Sequence, residues 1–324
     1  MKAVFIREFG GIENLEIREV EEPVHPKGKE IIVRVRACGV NRADILQRRG
    51  LYPAPKDAPQ RIPGLEFAGE IIKIGEKVKK FRLGERVFGI TSGGAQAELI
   101  KTHESILMKI PNGLNYTKAA AIAEAFITAH DALFTLSKLK RNETVLIHSA
   151  GSGVGIAAVQ LAKLIGAKVI GTSRTAEKLE KCAKFGLDVP ILIKSDADFA
   201  DILRKLGGVD VILDLVGAAY FRQNLESLKK KGRIVLVGLV GGAKTEFNLG
   251  IALSKRLTII GTVLRSRSLK EKAQAIRKFE RMLPFFEDRT LKPVVDKVFK
   301  VSDVRLAHEY IESNKNFGKV ILEF

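Results

Sequence analysis

Residues 145–174 read VLIHSAGSGVGIAAVQLAKLIGAKVIGTSR. An apolar run (145–148) enters the turn Ser149-Ala150-Gly151-Ser152-Gly153-Val154-Gly155. A stretch with helical spacing continues to Gly166, and a second apolar run follows. Strand, glycine turn, helix and strand in that order, within about 30 residues, make a dinucleotide-binding βαβ unit. Glycines let the backbone approach a pyrophosphate, whose charge then rests on the free N–H groups of the helix terminus. The turn departs from a strict GxGxxG. Ala150 and Ser152 stand where glycines would, so Gly153 and Gly155 carry the pattern, with Ser152 and Val154 between and beside them. The competing reading is a tight strand-to-helix turn that binds nothing.

The end of the second strand bears on which nucleotide fits. A carboxylate there, about 20 residues past the turn, accepts hydrogen bonds from the ribose 2′-hydroxyl of NAD. This chain has Gly171-Thr172-Ser173-Arg174-Thr175, with Lys178 one helical turn further on. Hydroxyls and two cations without a carboxylate suit a 2′-phosphate, so the expected cofactor is NADPH, met by Ser173, Arg174 and Lys178. Otherwise Arg174 and Lys178 are simply solvated residues at a helix start.

Upstream of the βαβ unit lies a long Ala-rich stretch with helical spacing, 117–139. Downstream, helix 176–185, strand 209–215, helix 220–228, strand 233–239 and the apolar run 257–264 alternate with short connections. Such alternation builds a parallel sheet. Lys229-Lys230-Lys231 reads as a solvated helix end, where cations favour the dipole. The first 115 or so residues differ. IIVRVRACGV (31–40) and EFAGEIIKIGEKV (66–78) alternate like strands, and Gly75, Gly84, Gly89 and Gly93-Gly94 punctuate them, as in a barrel-like domain. A helix at 269–286 and a closing VILEF strand end the chain. The expected fold class is α/β: a Rossmann doubly wound parallel sheet (123–266) inserted into a β-rich domain made of 1–122 and 267–324.

Length agrees, since 324 residues suit about two domains. The hydrophobic share is 46%, and two cysteines, Cys38 and Cys182, are too few for a disulfide framework. No apolar run approaches a membrane span, and Arg7 and Glu8 interrupt the start too early for a secretory signal, so a cytoplasmic location is expected. A formal net charge of +18 raises the question of nucleic acid. Aromatics are only 6%, Trp is absent, and the cations are dispersed among carboxylates, so a specific nucleic-acid site is not expected.

RACGVNRADILQRRG (36–50) and RIPGLEFAGEI (61–71) resemble the medium-chain dehydrogenase/reductase superfamily. Its zinc-dependent alcohol dehydrogenases carry a Cys ligand where this chain has Asn41, and a His where it has Leu65. The five histidines are scattered without ligand spacing, so no metal is expected. The chain is most similar to the zinc-independent quinone oxidoreductases of the zeta-crystallin-like branch. AAAIAEAFITA, VLIHSAGSGVG, VILDLVG, VGLVGG, LRSRS and NKNFGKVILE match in order. The resemblance implies that the β-rich part is a GroES-like catalytic domain and that the enzyme is a homodimer, with 258–264 as an edge-to-edge strand. It implies Asn41 and Tyr52 near the nicotinamide and acceptor, with Glu66 beside them. Thr128 would approach the nicotinamide riboside, and Gly153, Val154 and Gly155 the pyrophosphate. Gly238 and Leu239 would line the nicotinamide, with Leu264, Ser266 and Lys319 closing the cleft. Lys194 stands where the family often has a Tyr near the adenosine ribose. Plainer roles compete: Tyr52 as a loop anchor, Asn41 as the cap of the helix from Arg42, Glu66 as half of a buried ion pair.

The expected activity is therefore hydride transfer from NADPH to a quinone without zinc. The alternative is an NADPH-dependent reductase of an alkene, an enone or enoyl thioester. An NADPH-regulated nucleic-acid-binding role is the rival from another class.

Overall fold

A computed structural model describes residues 1–194 and 198–324. The chain divides into two units, Met1–Ile127 with Leu264–Phe324, and Thr128–Val263. The sequence reading puts these joins at 122/123 and 266/267. The observed first join, between Ile127 and Thr128, falls inside the helix Ala123–His130, where no local signal marks a boundary.

Within Thr128–Val263 the strands form one parallel sheet. Its order is Val189–Leu192, Lys168–Ser173, Thr144–Ile147, Val209–Asp214, Leu228–Leu236, Thr258–Gly261. The chain starts at Thr144–Ile147, winds one way for two strands, then returns to the other side, so the switch point lies beside Thr144–Ile147. Leu146, Ile170, Ile212 and Ile234 pack with Phe199, Phe221 and Leu225 as the core. The sequence reading overlooks the strand Val189–Leu192 and the helices Phe199–Lys205 and Leu249–Lys255. Each is short; Pro190 also breaks the strand pattern, and is tolerated because Val189–Leu192 is an edge strand. Lys229–Lys231 is a correction: these residues open the strand Leu228–Leu236, and Lys229 pairs with Asp210 at 2.9 Å.

The other unit holds a seven-stranded sheet. The path runs Val295–Lys300, Lys319–Glu323, Glu30–Val40, Glu66–Ile74, Arg86–Ile90, Leu107–Lys109, with Leu99–His103 also on Glu30–Val40. Lys2–Ile6 and Leu15–Glu19 make a separate hairpin pair. Val33, Val35, Phe67, Ile71, Val87 and Leu322 are among its fully packed core side chains. The register sets Val320 opposite Val40 and Phe67 opposite Cys38. Lys319, Asn41 and Glu66 thereby converge at one end of three neighbouring strands.

The expectation that no apolar stretch is long enough to cross a membrane is corrected by Tyr116–Leu136, which passes by length and composition. Of its most apolar window 72% is buried within the protein, as for a core helix. Its regularity is also broken, into Tyr116–Ala119, Ala123–His130 and a π-helical turn Asp131–Leu136.

Candidate functional site

The phosphate-binding turn begins where Ile147 leaves the sheet. Ser149 takes a left-handed φ of +51° and Ala150 N–H donates to Thr172 O at 3.0 Å, tying the turn to the neighbouring strand. Ser152 caps the helix Gly153–Leu164, its Oγ accepting from Gly155 N–H at 3.1 Å. A Cβ on Gly155 would sit 2.3 Å from Ser149 O, so only glycine permits this approach of helix to strand. The first-turn N–H groups of Gly153 and Val154 have no intrahelical partner, as at any helix start. Beyond the second strand, Ser173 is half-buried, Arg174 exposed and Lys178 half-buried at the start of Ala176–Ala183. Lys194 is exposed just after Val189–Leu192. A glycine turn, an open helix terminus and two cations fit a phosphorylated dinucleotide.

A buried relay lies beneath this turn. His148 hydrogen-bonds Thr172 Oγ1 at 2.9 Å through Nδ1 and Asn224 Oδ1 at 2.6 Å through Nε2. Asn224 Nδ2 donates to Asp214 Oδ2 at 3.1 Å, and Asp214 Oδ1 accepts from Val216 and Gly217 N–H. With Asn224 oriented by Asp214, the ring is the neutral Nε2–H tautomer; burial keeps its pKa below the usual histidine range. Thr172 is thus turned inward, away from any 2′-phosphate. Gly217 has φ +84°, and Gly238, whose Cβ would stand 2.9 Å from Leu215 O, packs against the same turn. Leu239 is exposed. Thr128 Oγ1 is buried without a partner among the described residues, an orphaned donor that a ribose hydroxyl would satisfy.

In the β-rich unit the structure brings three of the predicted residues into direct contact. Lys319 Nζ bonds Glu66 Oε1 and Asn41 Oδ1, each at 2.5 Å, and Asn41 Nδ2 donates to Glu66 Oε1 at 3.0 Å. Glu66 Oε2 accepts from Glu124 N–H at 2.7 Å, at the start of Ala123–His130. Gly39 makes room: a Cβ there would lie 2.1 Å from Glu66 Oε1. Glu66 is therefore half of a buried ion pair, and Asn41 occupies the N-cap of Arg42–Arg48 with its amide turned to Glu66 and Lys319. Asp44, fully buried, accepts from Asn41 and Gly64 N–H at 2.8 and 2.9 Å. Burial still pushes its carboxyl up to about 6.

Tyr52 is half-buried, its ring 5.1 Å from the Arg265 guanidinium. Arg265 is held by neutral oxygens: Ser92 O at 2.9 Å, Tyr52 O at 3.1 Å and Gln47 Oε1 at 2.5 Å. Lys272 donates to Ser92 Oγ. Leu264 is buried beside this Arg265, whereas Ser266 is exposed; both fall in the β-rich unit rather than with the parallel sheet. Sequence reasoning passed over Glu124, Asp44, Arg265 and Lys272. The signal for Glu124 was there, a single carboxylate inside AAAIAEAFITA.

Comparison with known proteins agrees with both units. Residues 27–137 match the family described as alcohol dehydrogenase GroES-like domain, and residues 153–286 the family described as zinc-binding dehydrogenase. A quinone oxidoreductase of Lama guanicoe is 33% identical over 327 residues, covering 99% of this chain and 97% of that protein. A quinone oxidoreductase of Escherichia coli, solved in complex with NADPH, superposes with a TM-score of 0.89 at 29% identity, covering 100% of both chains. The JamJ enoyl reductase superposes at 0.87 with 26% identity, covering 99% of this chain and 98% of that one. The chain is an NAD(P)H oxidoreductase acting on a small molecule, and it belongs to the quinone oxidoreductase family of medium-chain dehydrogenases/reductases.

Proposed function

We propose that this enzyme reduces quinones with NADPH and without zinc. The observation that carries the cofactor choice is the end of the strand Lys168–Ser173, where Arg174 stands in place of a carboxylate, Lys178 follows, and Glu177 between them is paired with Lys181 at 2.6 Å. NADPH would lie on the Gly153–Gly155 turn and supplies a hydride when bound. Ser173, Arg174 and Lys178 would take its 2′-phosphate. The donor set argues against zinc: Asn41 and Leu65 stand where the zinc enzymes carry Cys and His, and the Glu66 carboxylate is neutralised by Lys319. Among the described residues no group of three or more His, Cys, Asp or Glu could hold a metal ion.

Catalysis then rests on orientation, with donor and acceptor carbons at about 3–3.5 Å. The Tyr52 hydroxyl and the second N–H of the Asn41 amide are neutral donors for oxygen as it becomes negative. The exposed apolar residues Leu249, Leu253, Ile259 and Val263, around the edge strand Thr258–Gly261, support the homodimer reading. Cofactor absorbance followed with NADPH or NADH against a panel of quinones and enones tests the proposal. Enzyme-dependent oxidation of NADPH by at least one quinone is expected, and its absence with every quinone refutes it.

A further inference from the structure

We propose that Glu124 is the proton donor of the reaction, and that the enzyme therefore completes reductions in which a proton must reach carbon, as at the α-carbon of an enone. This rests on the reading above, which places the acceptor beside Asn41 and Tyr52.

The argument begins with crowding. Glu66, at the start of the strand Glu66–Ile74, accepts from the backbone N–H of Glu124 at the start of Ala123–His130, and only Glu66 is neutralised directly. Its two oxygens accept from Lys319 Nζ, Asn41 Nδ2 and the Glu124 backbone N–H. The carboxyl of Glu124 makes no hydrogen bond or ion pair among the described residues, and the residue is partly exposed. Two adjacent carboxyls in a poorly solvated site do not both ionise; the one with partners keeps the charge and the other keeps the proton. The titratable groups that act on Glu124 are Glu66 and Lys319 at strand ends, Asp44 on the helix Arg42–Arg48, Lys272 from the helix Leu269–Phe279, and Tyr52 and Arg265 from the loops. The carboxylates, with burial, favour the proton; the cations oppose it. Burial is the largest of these effects, and the carboxyl is pushed up to about 8. Thr128 follows Glu124 by one turn on the same helix face.

The step balances simply. NADPH, when bound, would supply a hydride, with its electron pair, to the β-carbon. The alkene electrons move toward the carbonyl oxygen as an enolate. The enolate α-carbon takes the proton as the Glu124 O–H bond breaks, leaving a carboxylate near Lys319 and Lys272 that regains a proton from water. A quinone needs the same proton only on oxygen, which water also supplies.

Glu124→Gln and Glu124→Asp test this. The expected result is a fall in kcat for enone reduction of about 10²-fold in Glu124→Gln, typical of a lost general acid, with KM little changed and partial recovery in Glu124→Asp. Wild-type kcat should decline above about pH 8, and that limb should vanish in Glu124→Gln. Infrared difference spectra of the cofactor-free protein at pH 7 give a readout apart from turnover. A carboxylic-acid C=O band is expected in wild type, bleaching as the pH passes about 8, and absent in Glu124→Gln. Enone turnover within about threefold of wild type in Glu124→Gln, or a band that survives the substitution, overturns the inference. If wild type turns over neither quinones nor enones, the proposed function fails. The infrared band then still decides where the proton sits, and a missing band overturns that too.

Discussion

Replacing Lys319 by Met removes the only cation bonded to Glu66 among the described residues; the Glu66 side chain is 0% exposed. The methionine fills nearly the same volume, so the loss is electrostatic. Two routes are open to the stranded carboxyl. It can stay ionised with only Asn41 Nδ2 and Glu124 N–H as donors; removing one partner of a buried pair costs about 3–5 kcal/mol. Or it can take a proton, which for an ordinary glutamate at pH 7 costs about 1.36 × (7 − 4.3), or about 3.7 kcal/mol. The cheaper route sets a ceiling of about 3.7 kcal/mol at pH 7. That ceiling falls as protons become available, to about 1.6 kcal/mol at pH 5.5. Urea unfolding at the two pH values, followed by a probe in the β-rich unit, measures both. The double variant Lys319→Met/Glu66→Gln should recover most of the loss at pH 7, because no charge is left buried. A destabilisation below about 1 kcal/mol at pH 7, or one of the same size at pH 5.5, would refute the reasoning.

Three further outcomes are expected. Gly155→Ala puts a Cβ 2.3 Å from Ser149 O, so the turn must open; NADPH should no longer raise the melting temperature, and the protein should lose about 1–3 kcal/mol. Arg174→Ala/Lys178→Ala should raise the KM for NADPH roughly 10–100-fold, the worth of charge-assisted hydrogen bonds, while leaving that for NADH nearly unchanged. His308 is buried, with neither ring nitrogen partnered among the described residues, and burial beside Arg48 lowers its pKa to about 3. Below pH 6.5 the unfolded chain binds the proton that the folded one refuses, so acid favours unfolding. By pH 5 this amounts to about 1.36 × 1.5, or about 2 kcal/mol. His308→Leu should flatten the pH dependence of urea stability between pH 7 and 5 by about that much.

The parts of this enzyme visible in its sequence are those whose determinants are local. Strand, turn and helix from Thr144 to Leu164 announce themselves because glycine, apolar period and cap lie within 21 residues of one another. The ends of elements shift by a few residues, as when the helix expected over 220–228 spans Ala218–Ser227. The ion pair of Glu66 with Lys319 is different in kind. Its partners are far apart in sequence, and only the antiparallel register of Lys319–Glu323 on Glu30–Val40 brings them together. From sequence, Glu66 reads equally as a substrate-facing group or a paired carboxylate. Thr172 likewise offers a hydroxyl to a phosphate on paper, and the inward tilt of its strand gives that hydroxyl to His148.

The placement of Lys319–Glu323 inside the seven-stranded sheet, between Val295–Lys300 and Glu30–Val40, has a consequence for synthesis on the ribosome. Thr128–Val263 is contiguous and emerges complete while the first 127 residues still lack an interior strand. The nascent chain thus carries a finished nucleotide-binding unit together with an unfinished sheet, whose strand Glu30–Val40 has Leu99–His103 along Glu30–Arg34 but still lacks its partner along Ala37–Val40. That stretch is covered, and Glu66 receives its counter-ion, only once Lys319–Glu323 has been made. Until then an exposed, apolar strand edge is available to other chains, so chaperones would be needed most while the residues between Val263 and Lys319 are being made.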